Sequence, residues 1–131
     1  MGLVDELKEE HRKIIISLMT IEYLGDEEVV SSEKIDELDL LLINHLLKED
    51  AELVPILKKH SQVDTSSAES DMGRITVAVL AFFLKYSGKA LNTPDLKKTF
   101  ESDFEQLGDT LINRFKFEET YFFAEYVKNR P

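Results

Sequence analysis

The sequence predicts an all-α protein, an up-and-down antiparallel four-helix bundle in which residues 1–131 form a single domain. Apolar residues recur at steps of three and four over four long segments, which is the spacing of one helix face. Only 5 Gly and 3 Pro residues interrupt the chain, and no segment shows the alternation of a strand. The connectors between the segments are short, which favours antiparallel neighbours.

The first helix is predicted over residues 3–24. Its apolar face carries Leu7, Ile14 and Leu18, and His11 interrupts that face. We expect Gly25 to end the helix, because glycine readily adopts the left-handed conformation that closes a C-terminus. Residues 26–30 are expected to be a connector.

The second helix is predicted over residues 32–60, with Ser31 or Ser32 as its N-cap. Pro55 predicts a kink or a last turn, since proline cannot donate a backbone hydrogen bond. The predicted buried face again mixes apolar and polar residues: Leu38, Leu42, His45, Glu49, Glu52 and Ile56.

The third helix is predicted over residues 66–91, after a polar loop at 61–67. Its buried face is Met72, Ile75, Val79, Phe82 and Tyr86. The fourth is predicted over 94–128, because Thr93 can cap it and Pro94 suits the first helical position. Its buried face is Phe100, Phe104, Leu107, Leu111, Arg114, Glu118, Tyr121 and Glu125.

A short motif recurs in the second and fourth helices. Residues 42–50 read LINHLLKED and residues 111–119 read LINRFKFEE. Arg114 stands where His45 stands in the first copy, and each is followed four residues later by a glutamate, Glu49 or Glu118. Burying such groups without partners costs roughly 2–7 kcal/mol for a neutral polar group and more for a charge. These residues therefore need one another, or a ligand, as partners.

The helix lengths place two histidines at the same height. The first connector is centred near residue 28, and His11 and His45 lie 17 residues on either side of it. Imidazole nitrogens and carboxylate oxygens that meet in a bundle core are how bundles hold non-haem iron or manganese. We therefore predict a metal site formed by His11, His45, Glu49 and Glu118.

Two motifs, Glu10-His11 in KEEHRKI and the stretch HLLKEDAELVP at 45–55, resemble the hemerythrin-like, or HHE cation-binding, domains. The resemblance extends over nearly the whole chain, since the fourth helix of that family repeats a His-x-x-x-Glu-Glu pattern. It implies a di-iron bundle that binds oxygen, senses it, or handles iron or nitric oxide.

Two positions depart from the family pattern. Ser70 stands where a third-helix histidine is expected, and Arg114 replaces the histidine of the fourth helix. Arginine cannot ligate a metal, and its charge opposes a second cation. We therefore expect Ser70 and Arg114 to modify the site, which would hold one iron ion in preference to two, or none. We predict that Arg114 turns inward and contacts Glu49, Glu118 or both.

Three functions remain open. A domain that binds or senses iron, oxygen or nitric oxide is favoured over an enzyme, because the sequence contains no recognisable set of nucleophile and base. The first alternative is a metal-free bundle that binds a protein or a small molecule. The second is an iron-dependent oxidase or peroxidase, with Tyr86 or Tyr121 as a redox-active neighbour of the metal.

Composition excludes several classes of partner. The net charge of −10 repels nucleic acid and anionic membranes. No apolar run approaches the roughly 20 residues of a membrane span, and the N-terminal residues lack the pattern of a signal peptide. The absence of cysteine excludes disulfides and thiolate metal sites, and it fits a cytoplasmic location.

Overall fold

The computed structural model describes residues 2–27, 32–60, 66–86 and 93–129, and all of these except Gly2 and Thr93 are helical. Helix α1 is Leu3–Glu27 and helix α3 is Ser66–Tyr86. Helix α2 is continuous through Ser32–Lys48, Glu49–Leu53 and Val54–His60, and helix α4 through Pro94–Phe117, Glu118–Phe122 and Phe123–Asn129. The described residues contain no strand, so the predicted all-α class is confirmed for them.

The four helices pack as a helical bundle. Helix α1 contacts α2 and α4, and helix α3 contacts the same two helices. The last segments of α2 and α4 also contact each other. No helix among the described residues is both long enough and apolar enough to cross a membrane.

Several predicted helix boundaries are tested directly. Thr93 caps α4, because its side chain accepts a hydrogen bond from Leu96 N at 3.2 Å. The prediction that Gly25 ends α1 was wrong, since α1 continues to Glu27. A glycine inside a helix costs only about 1 kcal/mol relative to alanine, which does not by itself stop a helix. The predicted cap Ser31, the loop at 61–65 and the helix end at 87–91 lie outside the described residues.

Helices α2 and α4 each contain one π-helical turn. The turns are Glu49–Leu53 and Glu118–Phe122, so each begins at a motif glutamate. In each turn a backbone N–H donates to the carbonyl oxygen five residues earlier, from Val54 to Glu49 and from Phe123 to Glu118. Pro55 does not end its helix, which continues to His60.

Each π turn moves the buried face by one residue. In α2 the prediction placed Glu52 on that face, but Glu52 is exposed and Leu53 is buried. In α4 the prediction placed Tyr121 there, but Tyr121 is 59% exposed and Phe122 is buried. A π turn uses one more residue per turn than an α turn, and this extra residue is the cause of both errors.

The apolar core has two parts with a polar layer between them. The larger part lies mainly among the 14–21, 35–46, 79–86 and 100–115 segments. The smaller part comprises Val4, Leu7, Leu53, Leu57, Phe122 and Phe123. The imidazole ring of His11 stacks on Phe115 of the larger part and on Phe123 of the smaller part. The buried polar residues are therefore enclosed by apolar side chains.

Candidate metal centre

The structure brings together the four residues that the sequence predicts as ligands. His11 comes from α1, His45 and Glu49 from α2, and Glu118 from α4. Each offers one ligand atom, and these four atoms lie within 4.8 Å of one another. All four residues are at most 1% exposed. Such a cluster of ionisable groups is costly to bury unless each group has a partner.

His45 is oriented by a carboxylate outside the cluster. Its Nδ1 donates to Glu10 Oε1 at 2.8 Å, and Lys48 Nζ donates to Glu10 Oε2 at 2.6 Å. Burial would raise the pKa of Glu10, but the hydrogen bonds from Lys48 and His45 outweigh it and lower that pKa. Glu10 is thus an ionised acceptor, which fixes a proton on Nδ1 of His45. Burial lowers the pKa of His45, so the neutral ring turns the lone pair of Nε2 toward the cluster.

His11 has a matching arrangement. Its Nδ1 lies 3.1 Å from Glu119 Oε2, and its Nε2 lies 3.1 Å from Glu118 Oε1. A neutral imidazole carries one N–H, so it can donate to only one of these carboxylates. The two histidine rings meet edge to face, with centroids 4.6 Å apart. Each ring therefore has an outer carboxylate at Nδ1 and an inner carboxylate at Nε2.

Glu49 is the least satisfied group of the cluster. Among the described residues neither of its carboxylate oxygens has a hydrogen-bond partner, and neither does Nε2 of His45. Glu49 Oε1 and His45 Nε2 are only 2.7 Å apart, but Nε2 carries a lone pair in this tautomer and cannot donate to an ionised carboxylate. Burial, and then the Glu118 carboxylate, raise the pKa of Glu49 well above its ordinary value. Without a cation, Glu49 is therefore the group that retains a proton.

Glu118 is the ionised partner of this carboxyl pair. Burial would raise the pKa of Glu118, but the proton that Glu49 retains and the hydrogen bond from His11, together with the charge of Arg114, outweigh burial and lower that pKa. Two carboxyl groups this close do not both ionise readily. The pair thus shares one negative charge in the metal-free protein.

Arg114 turns inward, as predicted, and is 8% exposed. Its Nε donates to Glu118 Oε2 at 3.0 Å, which confirms the predicted contact with Glu118. Its Nη2 points at Met72 Sδ, 3.8 Å away, and its guanidinium carbon lies 5.3 Å from the ring centre of Phe122. No hydrogen bond or ion pair to Glu49 is found among the described residues. Arg114 therefore places a fixed positive charge beside one of the two glutamates.

Ser70 does not reach the site, which corrects the expectation that it modifies the site. Ser70 is exposed, and its hydroxyl accepts from Arg74 Nη2 at 3.4 Å. The residue of α3 that faces the site is Met72, through its contact with Arg114. Two residues along a helix are separated by about 200° around its axis, so Ser70 and Met72 lie on opposite faces. None of the described side chains of α3 contributes a ligand atom to the cluster.

Sequence reasoning missed the residues that surround the ligands. Glu10 and Glu119 orient the two histidines, and Lys48 holds Glu10 in place. A signal for them was present, because Glu10 adjoins His11 and Glu119 adjoins Glu118 in the motifs. Each outer carboxylate serves the histidine of a neighbouring helix, however, and that pairing depends on how the helices pack.

The cluster has the dimensions and chemistry of a site for one metal ion. Ligand atoms bound at about 2.0–2.2 Å on opposite sides of an ion are about 4.0–4.4 Å apart. The separations of up to 4.8 Å therefore need only small side-chain rotations to enclose an ion. Two imidazole nitrogens and two carboxylate oxygens suit iron, manganese or zinc. The guanidinium of Arg114 opposes a second cation.

Comparisons with protein-family models, with curated proteins and with solved structures found no match for this chain. The assignment of function therefore depends on the geometry of the cluster and on the motifs of the sequence.

Proposed function

We propose that the protein is a hemerythrin-like cation-binding bundle that holds one non-haem iron ion on His11, His45, Glu49 and Glu118. The protein would either bind or sense iron itself, or use the bound ion to bind or sense oxygen or nitric oxide. The observation that carries the proposal is the set of buried atoms without partners, namely Nε2 of His45 and both oxygens of Glu49. Each is a metal-ligand atom, and they face one another inside the cluster.

A buried ion pair alone does not account for these atoms. Arg114 makes its hydrogen bond to Glu118, and it leaves Glu49 without a donor. An unsatisfied buried polar group costs about 1–3 kcal/mol, and more when it is charged. One cation among the four ligand atoms would give His45 and Glu49 a partner at the same time. In the metal-free protein the single proton on Glu49 can reach only one neighbour at a time, either Nε2 of His45 or the Glu118 carboxylate, so it cannot satisfy all of these atoms.

The surrounding residues perform the tasks that a metal site requires. Glu10 and Glu119 fix the orientation of the two imidazole rings, which preserves the lone pair of Nε2 for coordination. Phe115 and Phe123 cover the ring of His11 and limit the access of water. A ferrous ion accepts more ligands than the four that the protein provides, so it would supply an open position for a small diatomic molecule.

The same proposal includes the up-and-down antiparallel topology. Two observations support it: each helix contacts the next one along the chain, and α4 also contacts α1. The equal height of His11 and His45 follows from that topology, and their rings are in contact.

The oxidase alternative receives less support. The hydroxyl of Tyr86 donates to Asp103 Oδ2 at 2.5 Å, and its ring packs on Phe82 and Phe100. Tyr121 is 59% exposed and packs on Phe117. Among the described residues, neither tyrosine makes a ring contact or hydrogen bond with a ligand side chain. No specific observation therefore favours a redox-active tyrosine.

Metal binding to the isolated protein tests the proposal. Protein purified without chelator is analysed for metal, and chelator-treated protein is titrated with Fe²⁺ under anaerobic conditions, with Mn²⁺ and Zn²⁺ in parallel. We expect one ion per chain. The variant Glu49→Gln should bind at least about tenfold more weakly, because it removes one of two anionic ligands.

Asp50→Asn is the matched control, since Asp50 is the neighbouring acid and is exposed. It should leave the affinity unchanged. An absence of binding, or an equal loss in the two variants, would refute the proposal. Two ions per chain with the absorption band of an oxo-bridged di-iron centre would refute the single-ion form.

A further inference from the structure

A cavity of about 520 Å³ lies beside the cluster, between α2, α3 and α4. Its wall is mainly apolar, with Leu46, Val54, Leu57, Met72, Leu80 and Phe122 among the residues that line it. Cavities of about 300–1,000 Å³ with few polar groups are typical of small-molecule sites. The charged side chains on the wall are Arg114 and Asp50.

Arg114 presents unused donors to this cavity. A guanidinium has five N–H donors. Among the described residues its hydrogen bonds go to Glu118 Oε2 through Nε and to Met72 Sδ through Nη2. A thioether sulfur is a weak acceptor. The side chain of Arg114 is only 8% exposed. Its Nη atoms have no strong acceptor among the described residues.

We propose that this cavity binds a linear aliphatic carboxylate of medium chain length. The carboxylate of the ligand pairs with the Nη atoms of Arg114, and the alkyl chain lies along the apolar wall. A bidentate arginine–carboxylate pair is among the strongest polar contacts in proteins. None of the four metal ligands lines the cavity, although Arg114 contacts the ligand Glu118 through Nε, so binding is tested first on metal-free protein.

The charge on the wall favours an anion over a cation. Asp50 is exposed, so water and salt screen its charge. Arg114 is buried, so its charge is screened less and dominates inside the cavity. The overall charge of −10 slows the approach of any anion but acts from a distance. A buried guanidinium that lacks a strong acceptor is the local feature that selects a carboxylate head group.

Gly73 provides a way to close the cavity without touching the metal ligands. It lies on the wall of the cavity, and no atom lies within 4 Å of a Cβ placed on it. The variant Gly73→Leu therefore fills space in the cavity rather than creating a clash. It also replaces a poor helix former with a good one, so the variant should fold at least as well as the parent.

Binding is measured by calorimetry on chelator-treated protein with decanoate, 1-decanol and decyltrimethylammonium. We expect decanoate to bind one per chain and at least about tenfold more tightly than the other two, because only it pairs with the guanidinium. Gly73→Leu should weaken decanoate binding by at least tenfold. Arg114→Gln should remove the preference for decanoate over decanol.

Gly108→Leu is the matched control, because Gly108 also has open space around it but lies on a different groove. It should bind decanoate as the parent does. Equal affinity for decanoate and decanol would overturn the assignment of Arg114. An unchanged affinity in Gly73→Leu would place the ligand elsewhere, for example in the more open groove that Arg114 shares with Asp71 and Arg74, and would overturn the proposal.

Discussion

Arg114 is the residue that most distinguishes this cluster from a site for two metals. It occupies the position of His45 in the repeated motif. Its Nε donates to Glu118, which lies one turn further along the same helix. A guanidinium keeps its proton at all accessible pH values, so it takes the role of a permanent cation. One side chain therefore satisfies a glutamate and at the same time limits the number of metal ions.

Replacing this arginine by histidine should strengthen metal binding. Arg114→His removes a fixed positive charge next to Glu118 and adds an imidazole on the ligand side of α4. We expect the variant to bind Fe²⁺ at least about tenfold more tightly than the parent in an anaerobic titration. Lys116→His is the control, since Lys116 is exposed two residues away and its variant should bind as the parent does. Equal affinities of Arg114→His and the parent would show that Arg114 does not limit the site.

Removing the outer carboxylate of His45 should weaken metal binding without removing a ligand. Loss of such a partner typically costs about 10–100-fold in metal affinity, and we expect a loss in this range for Glu10→Gln. The amide can no longer hold the proton on Nδ1 as an ionised carboxylate does. Glu9→Gln is the matched control, because Glu9 is exposed and pairs with Arg12 instead. If the two variants behave alike, Glu10 does not orient His45.

Glu49 should make the metal-free fold less stable as the pH rises. Its pKa is raised above the ordinary value of 4.5, first by burial, so the folded state binds more protons than the unfolded state above that pH. Stability that depends on this proton is present at low pH and is lost as the pH rises toward the folded pKa. Glu49→Gln should therefore be more stable than the parent at pH 7.5, by about 1–3 kcal/mol.

The gain of Glu49→Gln should shrink at pH 4.5, where the folded parent holds the proton and about half of the unfolded molecules hold it too. Urea unfolding in the presence of chelator measures both values. A gain that does not depend on pH, or a loss of stability at pH 7.5, would contradict the assigned protonation of Glu49.

At the scale of the elements, the π turns explain where apolar spacing no longer predicts the buried faces of α2 and α4. Heptad-like spacing predicts the buried faces up to Glu49 and Glu118, and beyond each glutamate it is wrong by one residue. Both errors have the same sign because both helices gain one residue in the following turn. Apolar spacing assumes a constant number of residues per turn, so it cannot detect a π turn.

The ligand set, in contrast, could be predicted because its members lie before the π turns or at their first residue. His11, His45, Glu49 and Glu118 interrupt apolar faces whose spacing is regular up to these positions. The third helix could not be aligned from sequence, since no polar residue interrupts its apolar face. The apolar face predicted for that helix includes Met72 and by helix geometry excludes Ser70; the family resemblance, and not the apolar spacing, led to the expectation for Ser70.

Pro55 should not be needed for the π turn of α2. The corresponding turn of α4 has the same form without any proline. In a regular helix the proline ring clashes with the carbonyl four residues earlier, at a cost of about 3 kcal/mol. The widened turn removes most of this clash. Pro55→Ala should therefore stabilise the protein by less than about 1 kcal/mol in urea unfolding and should leave the Fe²⁺ affinity unchanged. A gain near 3 kcal/mol would mean that the ring is strained, and a loss of affinity would mean that Pro55 positions Glu49.

At the scale of the whole molecule, the ligands link three helices and leave out the fourth. Helices α1, α2 and α4 supply the four ligand atoms, and among the described side chains of α3 it is Met72 that contacts Arg114 beside the cluster. A metal ion bound to the folded state stabilises it by about 2.7 kcal/mol when its concentration is 100 times the Kd. That stabilisation should be largest against local unfolding that moves the four ligands apart. Local unfolding of α3 alone moves none of these four ligands.

Hydrogen exchange should therefore respond unevenly to metal. With saturating Zn²⁺, we expect amides near the ligands in the segments 2–27, 32–60 and 93–129 to exchange at least about tenfold more slowly. Amides in 66–86 that exchange through opening of α3 alone should change little, because that opening keeps the metal site intact. Exchange measured by mass spectrometry with and without Zn²⁺ tests this, and Glu49→Gln is the control that should respond less at the same Zn²⁺ concentration, because it binds more weakly. Equal slowing in all four helices would mean that α3 opens only when the whole bundle unfolds.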